Sequence, residues 1–402
     1  MGGAQLTVPA PAPGPPRPGD LTGLNLNWSE RDLPQRERTR HVHGLHPYLG
    51  KYPPQLVEAL LRGAMRPDQT VLDPFCGSGT TLVQANESGL HAAGTDVSAF
   101  NVLLARAKTA AYSLPHLRHE VQQALQLAEA APPEAESKAE RPLPEPTGAP
   151  AGAPEAEPDA YLRRWYAPPA RRQLLAYRAA ITGGAFRYPD LLRVILSRAA
   201  RSARLTTHFE LDFPRAPQRG PYWCHKHHRE CRPAQEALGF LRRYSVDTLR
   251  RVESFAAVRT ECQVSVTHAD GRSAAFPAAH GIITSPPYVG LIDYHQQHAY
   301  AYHLLGLTSL RGQEIGAPGA GTSRAARRRY QEDVALVLRR AAAGLPAGAP
   351  VLVVAADRHH LYPEIAALAG LEPRDVLQRQ VNRRTGRRAG DFYESVFVWR
   401  KP

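Results

Sequence analysis

Cysteine is scarce. Four residues, Cys76, Cys224, Cys231 and Cys262, are scattered over 402 positions, too dispersed for a disulfide framework, so nothing in the chain asks for an oxidising compartment. Long apolar runs are also missing. No segment approaches the roughly 18 uninterrupted apolar residues of a membrane-spanning helix, and the opening stretch MGGAQLTVPAPAPGPPRPGD has no apolar core of the kind an export signal needs. The expectation is a soluble, cytoplasmic protein without a membrane partner. Internal repeats are absent too. Acid is outweighed by base: 37 Asp plus Glu face 50 Lys plus Arg, a net charge of +13. The excess is mostly arginine, whose planar fork suits phosphates and base edges, so a polyanionic partner is expected; an arginine-rich proteome is the plainer alternative.

What is present is an alternation of short apolar runs and helical spacings. Residues 1–20, rich in Pro, Gly and Ala, read as a disordered tail. PQLVEALLR (54–62) has helical spacing, Pro67 and Asp68 break it, and TVLDPF is a β-branched run ending in Asp-Pro. GSGTTLVQANESGL reads as a glycine turn entering a helix that Gly89 closes, HAAGTDVS as a strand ending at Asp96, and AFNVLLARAKTAAY as a further helix. Residues 129–159 are acidic and proline-rich, a solvated linker. The sign then reverses, with ten arginines and one acid, Asp190, between Tyr161 and Leu205. Strand and helix patterns return at CQVSVTHAD (262–270), HGIITSPPY, DYHQQHAYAYHLLGL, QEDVALVLRRAAAGL, APVLVVAADR, LYPEIAALAGL and YESVFVWRK. Together these blocks predict about seven strands interleaved with helices, an open, doubly wound, mostly parallel α/β sheet built from 21–110 and 261–402. Residues 111–260 interrupt it as a mainly helical insertion, basic over 160–260.

DPFCGSGTT (73–81) falls between a predicted strand and a predicted helix. There, backbone N–H groups can point at a ligand, and Gly77 and Gly79 let it approach without a Cβ. No Gly-Lys-Ser/Thr follows, which excludes a phosphate P-loop, and Thr81 and Leu82 stand where the last glycine of a dinucleotide motif would be. Asp73 puts a carboxylate beside the turn, suited to a ligand's ammonium group. Asp96 closes the next strand, 19 residues after Gly77, where an acid takes ribose hydroxyls in this topology. Asp270 ends a third strand. The three acids describe a nucleoside site without a phosphate clamp; an ordinary turn-forming Asp is the alternative for Asp270.

DPFCGSGTT, GTDVS and TSPPY together resemble the S-adenosylmethionine-dependent DNA amino-methyltransferases, which methylate N4 of cytosine or N6 of adenine. The first string resembles the family's motif I and SPPY its catalytic tetrapeptide, while HPYLGKYPPQLVEALL (46–61) is similar to the helical motif that closes over the cofactor. The resemblance covers roughly residues 25–110 and 260–402. It implies a seven-stranded, Rossmann-like methyltransferase sheet and S-adenosyl-L-methionine as cofactor, held by Tyr52, Asp73, Pro74, Phe75, Gly77, Gly79, Thr80, Asp96 and Asp270. It implies catalysis by Ser285, Pro286, Pro287 and Tyr288 on double-stranded DNA, without a metal, and a cognate restriction endonuclease as a further partner. The motif order, with the insertion between the two strings, resembles the family's α arrangement, in which target recognition lies in the middle. The insertion here ends before Asp270, earlier than a simple template puts it.

The chemistry of SPPY can be argued from its residues. An exocyclic amine is a poor nucleophile because its lone pair is delocalised into the ring, so acceptors held against its N–H groups favour a pyramidal nitrogen. Ser285 and the following carbonyls are such acceptors; Pro286 and Pro287 lack N–H groups and fix φ, which stiffens the turn. Tyr288 supplies a flat face for a base rotated out of the duplex. Cys76 is read as packing in the cofactor turn, since the chain has no Pro-Cys dipeptide of the cytosine-C5 type. Serine in the first position goes with N4-cytosine in the family and aspartate with N6-adenine, so N4-cytosine is expected. N6-adenine, a tRNA guanine-N2 enzyme and a non-catalytic DNA-binding protein are the alternatives.

Arginines at 163–204, in SRAARRRY (323–330) and in NRRTGRR (382–388) are candidate phosphate contacts, with Arg163, Arg164, Arg327, Arg328, Arg383 and Arg384 singled out. CHKHHREC (224–231) invites a zinc reading. Its C-x6-C spacing is not that of a zinc knuckle and no second pair follows nearby, so a packed, basic, DNA-facing loop is expected.

Overall fold

The computed structural model describes residues 21, 23–130, 158–290, 292–381 and 392–402. The tail expected over 1–20, linker residues 131–157, and Arg383 and Arg384 lie outside them.

Among the described residues nine strands form in chain order: β1 (Thr70–Asp73), β2 (His91–Asp96), β3 (Tyr222–Cys224), β4 (Arg229–Cys231), β5 (Val264–His268), β6 (Gly281–Thr284), β7 (Pro350–Ala355), β8 (Glu372–Val381) and β9 (Phe392–Arg400). Seven make one sheet in the order β5-β2-β1-β6-β7-β9-β8. Pairing is parallel from β5 through β7, and β9 runs antiparallel to both of its neighbours. The runs VLD, GIIT and VLVVA are apolar without alternation because both faces are covered. Leu72, Ile282, Val351 and Val353 pack with the helices Arg324–Ala342 and Tyr362–Ala369. Val71, Ile283, Leu352 and Val354 pack with the helices Pro54–Ala64 and Thr80–Glu87.

One strand was not legible. Glu372–Val381 is almost wholly exposed and has no apolar pattern; its ladder to β9 holds it at the sheet edge. Each buried aliphatic of β7 contributes on the order of 1.5–3 kcal/mol, whereas β8 rests mainly on backbone bonds that any sequence can make. The helix expected over DYHQQHAYAYHLLGL is two, Tyr294–Gln297 and Ala299–Leu305, broken at His298.

The inserted helices Leu114–Ala130, Pro168–Gly183, Pro189–Ala203 and Leu238–Ala256 share one buried cluster with Phe100 and Leu104 of the helix Ala99–Thr109 and with Tyr300 and Leu304. At its surface, Asp247 receives hydrogen bonds from Arg198 at 2.5 Å, Arg250 at 2.6 Å and Arg251 at 2.8 Å. CHKHHREC is not a featureless packed loop: it folds as the antiparallel hairpin β3–β4. The second pair absent from its spacing is supplied by His208, 16 residues before Cys224, together with His227. No helix among the described residues is long and apolar enough to cross a membrane.

Candidate active site

The carboxyl ends of β5, β2, β1 and β6 lie side by side, which brings Asp270, Asp96, Asp73 and Ser285 to one edge. A cleft of about 870 Å³, open water at its mouth included, runs along that edge. Its wall includes Tyr52, Gly77, Asp96, Asp270, Ser285 and Pro287; Pro74, Phe75 and Thr80 also face it.

The turn after β1 is shaped by two glycines. Gly77 has φ +48°, and a Cβ there would stand 3.2 Å from the Tyr48 hydroxyl. Gly79 has φ +80° and works beneath the cleft, where a Cβ would stand 3.0 Å from that of Ala105 in the helix Ala99–Thr109. Lys108, fully buried on the same helix, donates to the Ser78 carbonyl at 2.7 Å and pins the turn from below. Burial lowers its pKa well below that of a free lysine.

Asp73 is 1% exposed and accepts from Thr284 Oγ1 at 2.6 Å, the Phe75 amide at 3.2 Å and the Tyr52 hydroxyl at 3.4 Å. These donors, and Thr81 as a further partner, are all neutral, so burial dominates and pushes its pKa up to about 6. The Thr284 bond also ties the end of β6 to that of β1. Asp96 accepts from the Gly77 amide at 2.8 Å on Oδ2, and from the Ser98 amide at 2.8 Å and Asn101 Nδ2 at 3.0 Å on Oδ1. Burial again raises its pKa. A carboxylate offers about four acceptor positions; Asp96, on the cleft wall, keeps one for a ligand, whereas Asp73 sits beneath that wall with its positions taken, Thr81 being a further partner.

Asp270 differs from the expectation of an open third acid. Arg272 forks onto it, at 2.8 Å from Nη2, and also binds Asp333 at 3.0 Å. Burial opposes its charge, yet Arg272 holds its carboxyl below the usual range.

Pro286 is buried behind the turn. Tyr288 turns away from the main cleft into a neighbouring cavity of about 230 Å³ that it shares with Tyr330, Asp357 and His359. Its hydroxyl donates to Glu394 Oε1 at 3.0 Å, and Glu394 Oε2 accepts from Arg379 at 2.8 Å. Arg327 and Arg328 lie in the first turns of the helix capped by Ser323, just after Thr322, against which Gly290 of the tetrapeptide's loop packs. Arg163 and Arg164 belong to the inserted bundle, on the helix Pro158–Trp165, with the Arg164 guanidinium 5.7 Å from the Trp165 ring.

Sequence reasoning missed Tyr48, Asn101, Lys108, Arg379 and Glu394. Only Lys108 left a signal, as a lysine on the stripe of Phe100 and Leu104.

A parallel sheet in this order, with a glycine turn after β1 and an acid closing β2, defines an α/β methyltransferase of the Rossmann-like kind. The model of a family described as DNA methylase matches residues 20–106. The type II methyltransferase M.MjaII of Methanocaldococcus jannaschii is 32% identical over 442 residues, spanning 93% of this chain and 83% of that protein. The chain belongs to the DNA amino-methyltransferases, and the family implies S-adenosylmethionine as methyl donor. TrmN from Thermus thermophilus has 16% identity and a TM-score of 0.32, covering 88% of this chain and 50% of that one. The rRNA methyltransferase aviRa from Streptomyces viridochromogenes has 15% identity and a TM-score of 0.33 over 88% of each chain. Those scores carry no argument, and the fold rests on the sheet itself. The residues present fit the donor: the Asp96 carboxylate with a spare acceptor position, Gly77 beside it without a Cβ, and the side-chain oxygens of Ser78 and Asn101, buried at the cleft without a hydrogen-bond partner.

Proposed function

We propose that the protein transfers a methyl group from S-adenosylmethionine to the exocyclic N4 amine of cytosine in double-stranded DNA, at a specific site and with the base rotated out of the duplex. The observation that carries this reading is the common wall: Ser285 and Pro287 line the same cleft as Gly77 and Asp96. Gly77 follows β1 and Ser285 follows β6, strands that are direct neighbours about 4.8 Å apart, so a donor on the turn and an amine at the tetrapeptide are within transfer reach.

When bound, S-adenosylmethionine supplies an electrophilic methyl group on a sulfonium centre. On this reading Asp73, beneath the cleft wall, takes the ammonium end of the cofactor in exchange for one of its present hydrogen bonds, and Asp96 takes ribose hydroxyls. Ser285 Oγ and the Pro286 carbonyl accept hydrogen bonds from the amine N–H groups and localise the nitrogen lone pair; the proton that the methylated amine then sheds passes to solvent. Tyr288, held by Glu394, offers the face on which the rotated base stacks. Arg327 and Arg328 track phosphates beside the tetrapeptide's loop. Serine at position 285 supports cytosine over adenine, and the type II designation of the relative supports a partner restriction endonuclease.

The test is nucleoside mass spectrometry of unmethylated DNA incubated with the purified protein and S-adenosylmethionine. N4-methylcytosine is expected. N6-methyladenine would move the acceptor to adenine, and absence of any methylated base would refute the reading.

A further inference from the structure

The lobe of residues 206–236 lies between the helices Pro189–Ala203 and Leu238–Ala256, and none of its residues belongs to a hydrophobic cluster of the described residues. It even exposes aromatics: Trp223 is 58% exposed and Phe209 43%. Its regular structure is a hairpin with three residues in each strand, too short to be stable alone. Something else holds it.

Four side chains converge at the base of this hairpin. His208 Nδ1 lies 3.3 Å from Cys224 Sγ. His227 Nδ1 lies 3.6 Å from Cys224 Sγ and 3.4 Å from Cys231 Sγ. All four ligand atoms are within 4.8 Å of one another. Hydrogen bonding does not account for this, because one imidazole nitrogen carries a single N–H or a single lone pair and cannot satisfy two thiols at once. A tetrahedral ion does: with ordinary zinc–thiolate and zinc–imidazole bonds, sulfur and nitrogen sit about 3.6 Å apart. Cys224 is fully buried, the two imidazole rings stand at 73° to each other, and the Tyr222 hydroxyl accepts the His208 amide at 3.1 Å, fixing that segment against β3.

We propose that His208, Cys224, His227 and Cys231 bind one zinc ion, through Nδ1, Sγ, Nδ1 and Sγ, and that this ion replaces a hydrophobic core for the lobe. A tetrahedral set of two thiolates and two imidazoles selects zinc among the common divalent ions, and four protein ligands leave no open position for catalysis, so the site is structural. Binding displaces the protons of the two thiols to solvent, without a change of oxidation state. The ion holds Trp223, Lys226 and Arg229 on a fixed outward surface.

The test is elemental analysis of tag-free protein purified without chelator, alongside cobalt(II) exchange. One zinc per chain and a tetrahedral cobalt spectrum with thiolate charge-transfer bands are expected. His208→Ala combined with His227→Ala removes the metal, while His225→Ala, on the same hairpin but outside the set, keeps it. Because removal of a ligand can unfold the lobe, the wild-type metal count decides. Substoichiometric metal, full metal in the double variant, or a Cys224–Cys231 disulfide in the isolated protein would each overturn the site. Methylation is not needed for any of these readouts.

Discussion

Two aspartates, Asp73 buried and Asp247 half-buried, show how the sheet edge and the inserted bundle differ. Asp247, in the bundle, is surrounded by the guanidinium groups of Arg198, Arg250 and Arg251. Burial opposes its charge, but the arginines hold its pKa well below the usual carboxylate range. Asp73, at the sheet edge, has only hydroxyl and amide donors and is pushed up to about 6. The bundle pairs its acid with arginines, whereas the edge leaves Asp73 among neutral donors, which is the contrast that the proposed cofactor role of Asp73 draws on.

Removal of each acid separates the two roles. Asp247→Ala leaves Arg198 buried with no carboxylate, and unfolding stability falls by about 3–5 kcal/mol; chemical denaturation reads the loss, while cofactor affinity stays unchanged. A large loss of affinity in that variant would erase the contrast. Ser285→Ala is expected to lower methyl transfer about a hundredfold, the usual effect of deleting one positioned hydrogen-bonding group. A tritium-transfer assay beside calorimetry checks that cofactor binding survives. Arg327→Ala with Arg328→Ala sharpens the boundary of the edge: the slope of log affinity for DNA against log salt should shrink by about two, as for two lost phosphate contacts. An unchanged slope would take that helix out of the DNA path.

The edge was legible where its chemistry is local. DPFCGSGTT and SPPY carry the turn, the acid and the rigid acceptors within a few residues, and β1, β2, β6 and β7 announce themselves by apolar runs. Contacts that depend on distant chain segments were not legible. Glu394 reaches Tyr288 across 106 positions, and its strand carries no mark of that task. Asp270 was read as a third acid of the nucleoside site or a turn residue; the Arg272 that forks onto it is held in turn by Asp333, 61 positions away, which no spacing reveals. His208 joins the cysteine pair only after the chain folds back on itself, so C-x6-C alone pointed away from a metal. β8 was silent because its stability comes from backbone pairing.

The most direct test of the contrast is cofactor binding to the free protein by calorimetry between about pH 5 and 7. A raised carboxyl pKa means that the folded protein holds this proton where an unfolded chain has released it, so the group's contribution to stability declines as pH rises from the ordinary carboxylate value to about 6 and is constant above. An ammonium ligand requires the anion, and its affinity moves the other way: it should rise about tenfold per pH unit below about 6 and level off above. Asp73→Asn should bind weakly with no such slope. Wild-type affinity that is flat across this range, or equal to that of the asparagine variant, would contradict the assignment of Asp73 as the cofactor's acid.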